Sequence, residues 1–143
     1  MLDGTPITTP QMMDAYVEPG AFEVFRTTGN WPEGTQIVKE FTSIQTGKDC
    51  DTRTFVCSTP YGLGVFQSDY IGLGMMVKDS KRFSAQSGYW GYFSFVGEKP
   101  ADPPTSPLRA RAQCSACHEQ FASKTDYVFS VTHVGLRAEN LGR

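Results

Sequence analysis

Cys114-Ser-Ala-Cys117-His118 constrains this chain more than any other stretch. Two thiols and an imidazole at this spacing commit the local backbone to one of three chemistries. A thioredoxin-like dithiol places CxxC at a helix start inside a βαβ pattern. Here the motif follows the proline-rich run EKPADPPTSP instead. A zinc ribbon needs a second ligand pair, and Cys50 and Cys57 are spaced too widely for the usual C-x2–4-C knuckle. Attachment of a c-type haem needs nothing more: the thiols add to the two vinyl groups and the adjacent imidazole reaches the iron. With four cysteines and two histidines in 143 residues, shuffling would produce CxxCH only about 0.002 times per chain. The motif predicts haem c as cofactor, with Cys114 and Cys117 as attachment points and His118 as proximal iron ligand.

The remaining composition mainly excludes. A net charge of -2 leaves no basic footprint for nucleic acid. No run of 18 apolar residues exists to span a membrane. The opening MLDGTPITTP has neither the basic start nor the apolar core of a signal peptide, so an exported chain with this start is expected to be a processed form. Cys50 and Cys57 bracket a short loop, where a disulfide and two free thiols are both conceivable. Haem attachment of this kind is extracytoplasmic in bacteria. This agrees with a Cys50–Cys57 disulfide and sets a periplasmic expectation.

The pattern predicts one α+β domain over residues 1–143, mainly an antiparallel sheet with a few helices and haem attached near the C-terminus. MMDAYV reads as a strand. VEPGAFEVFRTTGNWP reads as a helix, with Glu18 and Pro19 at its start and Gly29 at its stop. TQIVKEFTSI alternates, so Ile37, Lys39 and Phe41 share a face. YGLGVFQSDYIGLGMMVKDS reads as two strands separated near Ser68-Asp69. In the second, Ile71, Leu73, Met75 and Val77 form an apolar face; Tyr70, Gly72, Gly74 and Met76 form the other, where the glycines let something bulky approach. SGYWGYFSFVG is a further strand, about 108–123 a helix, and TDYVFSVTHV a last strand.

Two residues raise the functional question. An electron-transfer cytochrome fills both axial positions of its iron, whereas a catalytic or gas-binding one leaves one open. Met76 and His133 are the leading candidates for a sixth ligand, against core and surface roles respectively. Lys39 sits between Ile37 and Phe41. It is either a snorkelling ammonium on an exposed face or a desolvated, nucleophilic amine.

VEPGAFEVFRTTG leading into TQIVKEF, then SDYIGLGMMVKDSKRF, CSACH and SKTDYVFSVTHVGLRA, resemble the cytochrome P-460 family in order and spacing over most of residues 12–138. The resemblance implies an antiparallel β fold, a homodimer and a five-coordinate haem c whose meso carbon is bonded to a lysine of the VKE strand, here Lys39. It implies oxidation of hydroxylamine to nitrous oxide or nitric oxide, with electrons passing to a small redox protein such as a cytochrome c. Two departures stand out. The family's distal carboxylate, just after the leucine of YIGL, is Gly74 here, with Tyr70 and Met76 on the same face and Tyr70 a poor base. The segment before the first strand is also shorter than is usual in the family. The related cytochromes c′-beta, which bind nitric oxide in a phenylalanine-lined pocket without a lysine link, offer a second reading, in which Phe41 and Phe66 line that pocket. A plain electron-transfer cytochrome is the third. Arg82, Arg109 and Arg111 are available to the haem propionates.

Overall fold

The computed structural model describes residues 10–95 and 105–132. His133 and most of the EKPADPPTSP run lie outside them. Strand β1 (Gln11–Val17) leads into helix α1 (Pro19–Thr28). The Glu18 carboxylate caps the helix by accepting the Gly20 and Ala21 N–H groups at 3.0 and 2.8 Å. Gly29 ends it in the left-handed conformation (φ 77°), its N–H donating to the Phe25 carbonyl at 2.7 Å. Phe25 then stacks on Trp31, with ring centres 4.1 Å apart.

Strands β2 (Gln36–Ile44), β3 (Cys57–Thr59), β4 (Gly62–Gly64), β5 (Gln67–Lys78) and β6 (Trp90–Phe95) follow. The main sheet has the order β1-β2-β5-β6, all antiparallel, and β3-β4 form a separate hairpin. Helix α2 (Ser115–Ala122) carries most of the CxxCH motif. Cys50 and Cys57 are joined by a disulfide that closes the excursion between β2 and β3.

Three sequence expectations are corrected. The strand break falls at Val65-Phe66, between β4 and β5, not at Ser68-Asp69. β5 runs through the latter, and a register irregularity opposite Thr42 absorbs the mismatch. The predicted helix over about 108–123 begins only at Ser115. TDYVFSVTHV, within its described part, forms short 3-10 turns rather than a strand. Asp126 and Tyr127 carry positive φ (52° and 63°), which breaks the extended run.

Register fixes what each face carries. One row across the sheet is Val17, Ile37, Met76 and Tyr92; the next is Ala15, Lys39, Gly74 and Ser94; then come Met13, Phe41 and Gly72. The first row belongs to the core, where Ile37, Met76 and Tyr92 pack with Ala21, Phe25, Trp31, Trp90 and Val128. The glycine-bearing face of β5 is therefore the buried face. The face with Ile71, Leu73, Met75 and Val77 is only half-buried.

Candidate functional site

Lys39 and Gly74 are direct cross-strand partners on the two central strands. Ala15 and Ser94 complete their row. Lys39 thus shares its row with three small residues, with core residues on one side and Phe41 on the other. This settles its face: it shares the buried side with Ile37 and Phe41, which are 5% and 8% exposed. Burial pulls its amine below the usual lysine pKa range. A Cβ placed at Gly74 would meet the Phe41 ring at 3.2 Å, with the Lys39 carbonyl oxygen next at 4.0 Å.

His118 projects from α2 toward this face. Its Nδ1 lies 2.7 Å from the Tyr127 carbonyl oxygen. A carbonyl only accepts, so the proton sits on Nδ1 and the Nε2 lone pair is free for a metal. The ring packs between Tyr92 and Phe129, at centre distances of 4.7 and 4.8 Å. Burial lowers the imidazole pKa, the Tyr127 hydrogen bond opposes this, and the Lys39 charge lowers it further. The imidazole is therefore neutral near pH 7, as metal ligation requires. The last of these effects also places Lys39 within electrostatic reach of His118. Cys114, half-buried, and Cys117, exposed, precede His118 on and beside α2.

These residues fit a haem. Tyr92 Oη, Ser94 Oγ and Arg109 Nε are buried without a hydrogen-bond partner among the described residues. All three cluster on β6 and the segment beside it, where the Arg109 N–H donates to the Tyr92 carbonyl at 2.8 Å. Phenol, hydroxyl and guanidinium are donors, and a buried donor set without acceptors suits a carboxylate. Arg109 is the propionate partner this arrangement favours. Arg111 is engaged with Glu119, and Arg82 lies near Asp79 and over Phe83, largely exposed. The rival chemistries lose their supports. Cys50 and Cys57 are spent in a disulfide, and no group of three metal-ligating side chains gathers among the described residues. Among the described residues every strand pair is antiparallel, which leaves none from which to build βαβ.

The other predicted residues separate. Met76 is 7% exposed and packed in the core beside Tyr92. Tyr70 pairs with Thr42 beyond the irregularity. Phe66 lies at the β4–β5 junction, against Gly64; Phe41 is the phenylalanine beside the Lys39 row. A groove of about 670 Å³ at the start of α1 is lined by Tyr16, Glu18, Val24, Glu33 and Val38 among others, and contains none of these residues.

Sequence reasoning missed the Thr125-Asp126-Tyr127 corner, which supplies the carbonyl that holds His118. Gly88 packs against it. A Cβ on Gly88 (φ 64°) would fall 2.3 Å from the Tyr127 ring. Gly88→Ala is therefore expected to cost roughly 2–5 kcal/mol, from the strained backbone and the overpacked ring. Denaturant unfolding of the variant checks this; a wild-type midpoint would contradict the contact.

A half-buried imidazole with its outer nitrogen free, two cysteines beside it and an unpaired donor cluster nearby define a haem-binding protein on an antiparallel sheet. The Cytochrome P460 family model matches residues 3–130, and the chain belongs to that family. No curated protein matches the chain at a significant level.

Proposed function

We propose that the chain is a haem c protein that oxidises hydroxylamine, weakly, to nitrous oxide or nitric oxide at a five-coordinate haem cross-linked to Lys39. Cys114 and Cys117 carry the haem by thioether bonds and His118 is the proximal ligand. The observation that carries the reading is Lys39 itself. It is a half-buried amine on the core face, in a row of small residues, within reach of the charge-sensitive His118 ring. Desolvation favours the neutral amine, and a neutral amine is a nucleophile. When bound, the haem supplies the iron that takes substrate nitrogen and its electrons. The chain's residues would hold and orient it: His118 at the iron, Arg109 and its neighbours at the carboxylates, and Phe41 beside Gly74.

Activity is weak in this reading because no carboxylate shares the site face of the described strands. Asp14 and Glu40 are partners on the opposite face. Tyr70 and Tyr92 are the phenols on that face, and a phenol is a poor base near neutral pH. The same feature supports a second reading, a nitric oxide-binding protein like cytochrome c′-beta, with the Phe41 ring lying where a distal base would stand. Steady-state assay with hydroxylamine and a small electron acceptor separates the two. Slow but measurable acceptor reduction supports the first. A stable nitric oxide complex without hydroxylamine turnover would sink it in favour of the second. The third, an electron-transfer role, loses Met76 as a free ligand because that side chain is packed in the core.

The disulfide supports a periplasmic setting. The outer sheet face supports a homodimer. Val38, Met75 and Phe93 form one half-buried apolar row, and Leu73 and Phe95 lie in the next. An apolar patch of this kind, bordered in the second row by Glu40 and Asp14, marks an interface. Sedimentation equilibrium is expected to give a dimer; a monomer at micromolar concentration would remove the assignment. The electrons are expected to leave to a small redox protein such as a cytochrome c.

A further inference from the structure

The carbonyl that holds His118 is itself held in an unfavourable backbone. Asp126 and Tyr127 both have positive φ, a region that side chains with a Cβ rarely occupy. Such backbone persists only where its surroundings over-determine it. Four contacts do so here. The Asp126 carboxylate accepts the Trp31 N–H at 2.8 Å and pairs with the Lys78 ammonium at 2.5 Å. The Asp126 carbonyl accepts the Trp90 indole N–H at 2.9 Å. The Tyr127 N–H donates to the Ala122 carbonyl at 2.8 Å. The ion pair is largely shielded from water, its side chains being 13% and 9% exposed. Lys78 stands at the end of β5 on the same face as Gly74 and Met76, and it also lies over the Trp90 ring. One charge on the central sheet is thereby wired to the backbone unit that meets the imidazole.

We propose that the Lys78–Asp126 pair is a positioning device that fixes the Tyr127 carbonyl against His118 Nδ1 and so sets how strongly that imidazole donates to iron. The inference rests on the haem reading of His118. A carbonyl held at 2.7 Å pulls on the Nδ1 proton and gives the ring imidazolate character. Outer partners of this kind orient a metal-bound histidine and raise its basicity. A more basic axial ligand stabilises the ferric over the ferrous state. Releasing the carboxylate lets the corner relax toward ordinary backbone, and the carbonyl withdraws. The buried pair is thus a tuning element for the cofactor as well as a link in the core.

The test uses the haem-loaded protein and two readouts that stability alone does not move: the midpoint potential and the iron–histidine stretching frequency of the ferrous state. Asp126→Asn and Lys78→Met are each expected to shift the ferric–ferrous balance about tenfold toward ferrous at fixed potential. For a one-electron couple this is about 59 mV upward. The stretching frequency falls with it, and Lys78→Arg stays close to wild type. Ile44→Ala, buried at the end of β2 that pairs with Gln67 and so at the far end of β5 from Lys78, lowers the melting temperature and leaves both readouts in place. Asp126 and Lys78 variants that melt earlier yet keep the wild-type potential and frequency would overturn the proposal and leave the pair a structural one. Wild-type protein with no iron–histidine band would instead overturn the haem reading of His118.

Discussion

Replacing Lys39 with leucine is expected to leave the haem attached, return the reduced Soret band to the position of ordinary haem c, and abolish hydroxylamine oxidation. Attachment survives because Cys114 and Cys117 lie on and beside α2, independent of β2. The spectrum changes because a nitrogen on the porphyrin rim distorts the macrocycle and retunes the iron, one of the protein's few levers on this cofactor. Activity is expected to fall by about 100-fold or more, the upper range for losing a group that tunes a metal site. Leucine matches the buried stem of Lys39 between Ile37 and Phe41, so the fold is expected to hold. In protein without haem the substitution should stabilise, since a half-buried amine whose pKa desolvation lowers is penalised in its charged form. That penalty is present in full below the folded-state pKa and fades as pH rises toward the unfolded-state value. The gain from leucine should therefore shrink at alkaline pH. A variant that keeps a red-shifted Soret band would show that Lys39 is not the link.

Restoring a carboxylate at residue 74 should act in the opposite direction. Gly74 stands beside Lys39 on the site face. General base catalysis typically contributes about 10²–10⁴-fold. A side chain there must displace Phe41, whose ring atom Cε2 lies 3.2 Å from the position of the new Cβ. The pair Gly74→Asp with Phe41→Leu is therefore expected to show the full gain in hydroxylamine turnover, and Gly74→Asp alone a smaller one. Gly74→Asn with Phe41→Leu separates shape from chemistry. It has the same outline without the base and should stay at the basal rate. Equal rates for the aspartate and asparagine pairs would mean that the base does not act from residue 74.

Much of the sheet was legible because its strands alternate. The pattern of IVKEF put Ile37, Lys39 and Phe41 on one side, and the glycines of YIGLGMM marked the surface facing them. The cofactor was legible because CxxCH is local: three ligating groups fall within five residues. Which face of β5 is buried was not legible. Ile71, Leu73, Met75 and Val77 are the more apolar set, yet the glycine face holds the core. The helices and the 125–130 segment supply what the glycines lack, and only the assembled register shows it. The Thr125-Asp126-Tyr127 corner was unreadable for another reason. Its contribution to His118 is a backbone carbonyl, which has no sequence signature, and its aromatic and β-branched neighbours imitate a strand. Tyr92 was likewise ordinary, and Arg109 one of three candidate arginines, until their polar atoms proved buried and unpartnered.

The central claim is a covalent bond between this sheet and its cofactor. Proteolysis of the haem-loaded protein, followed by mass analysis of the haem-bearing fraction, tests it directly. The predicted result is one haem carrying two peptides, the one containing Cys114 and Cys117 and the one containing Lys39. A haem bound to the cysteine peptide alone, with the Lys39 peptide recovered unmodified, would contradict it.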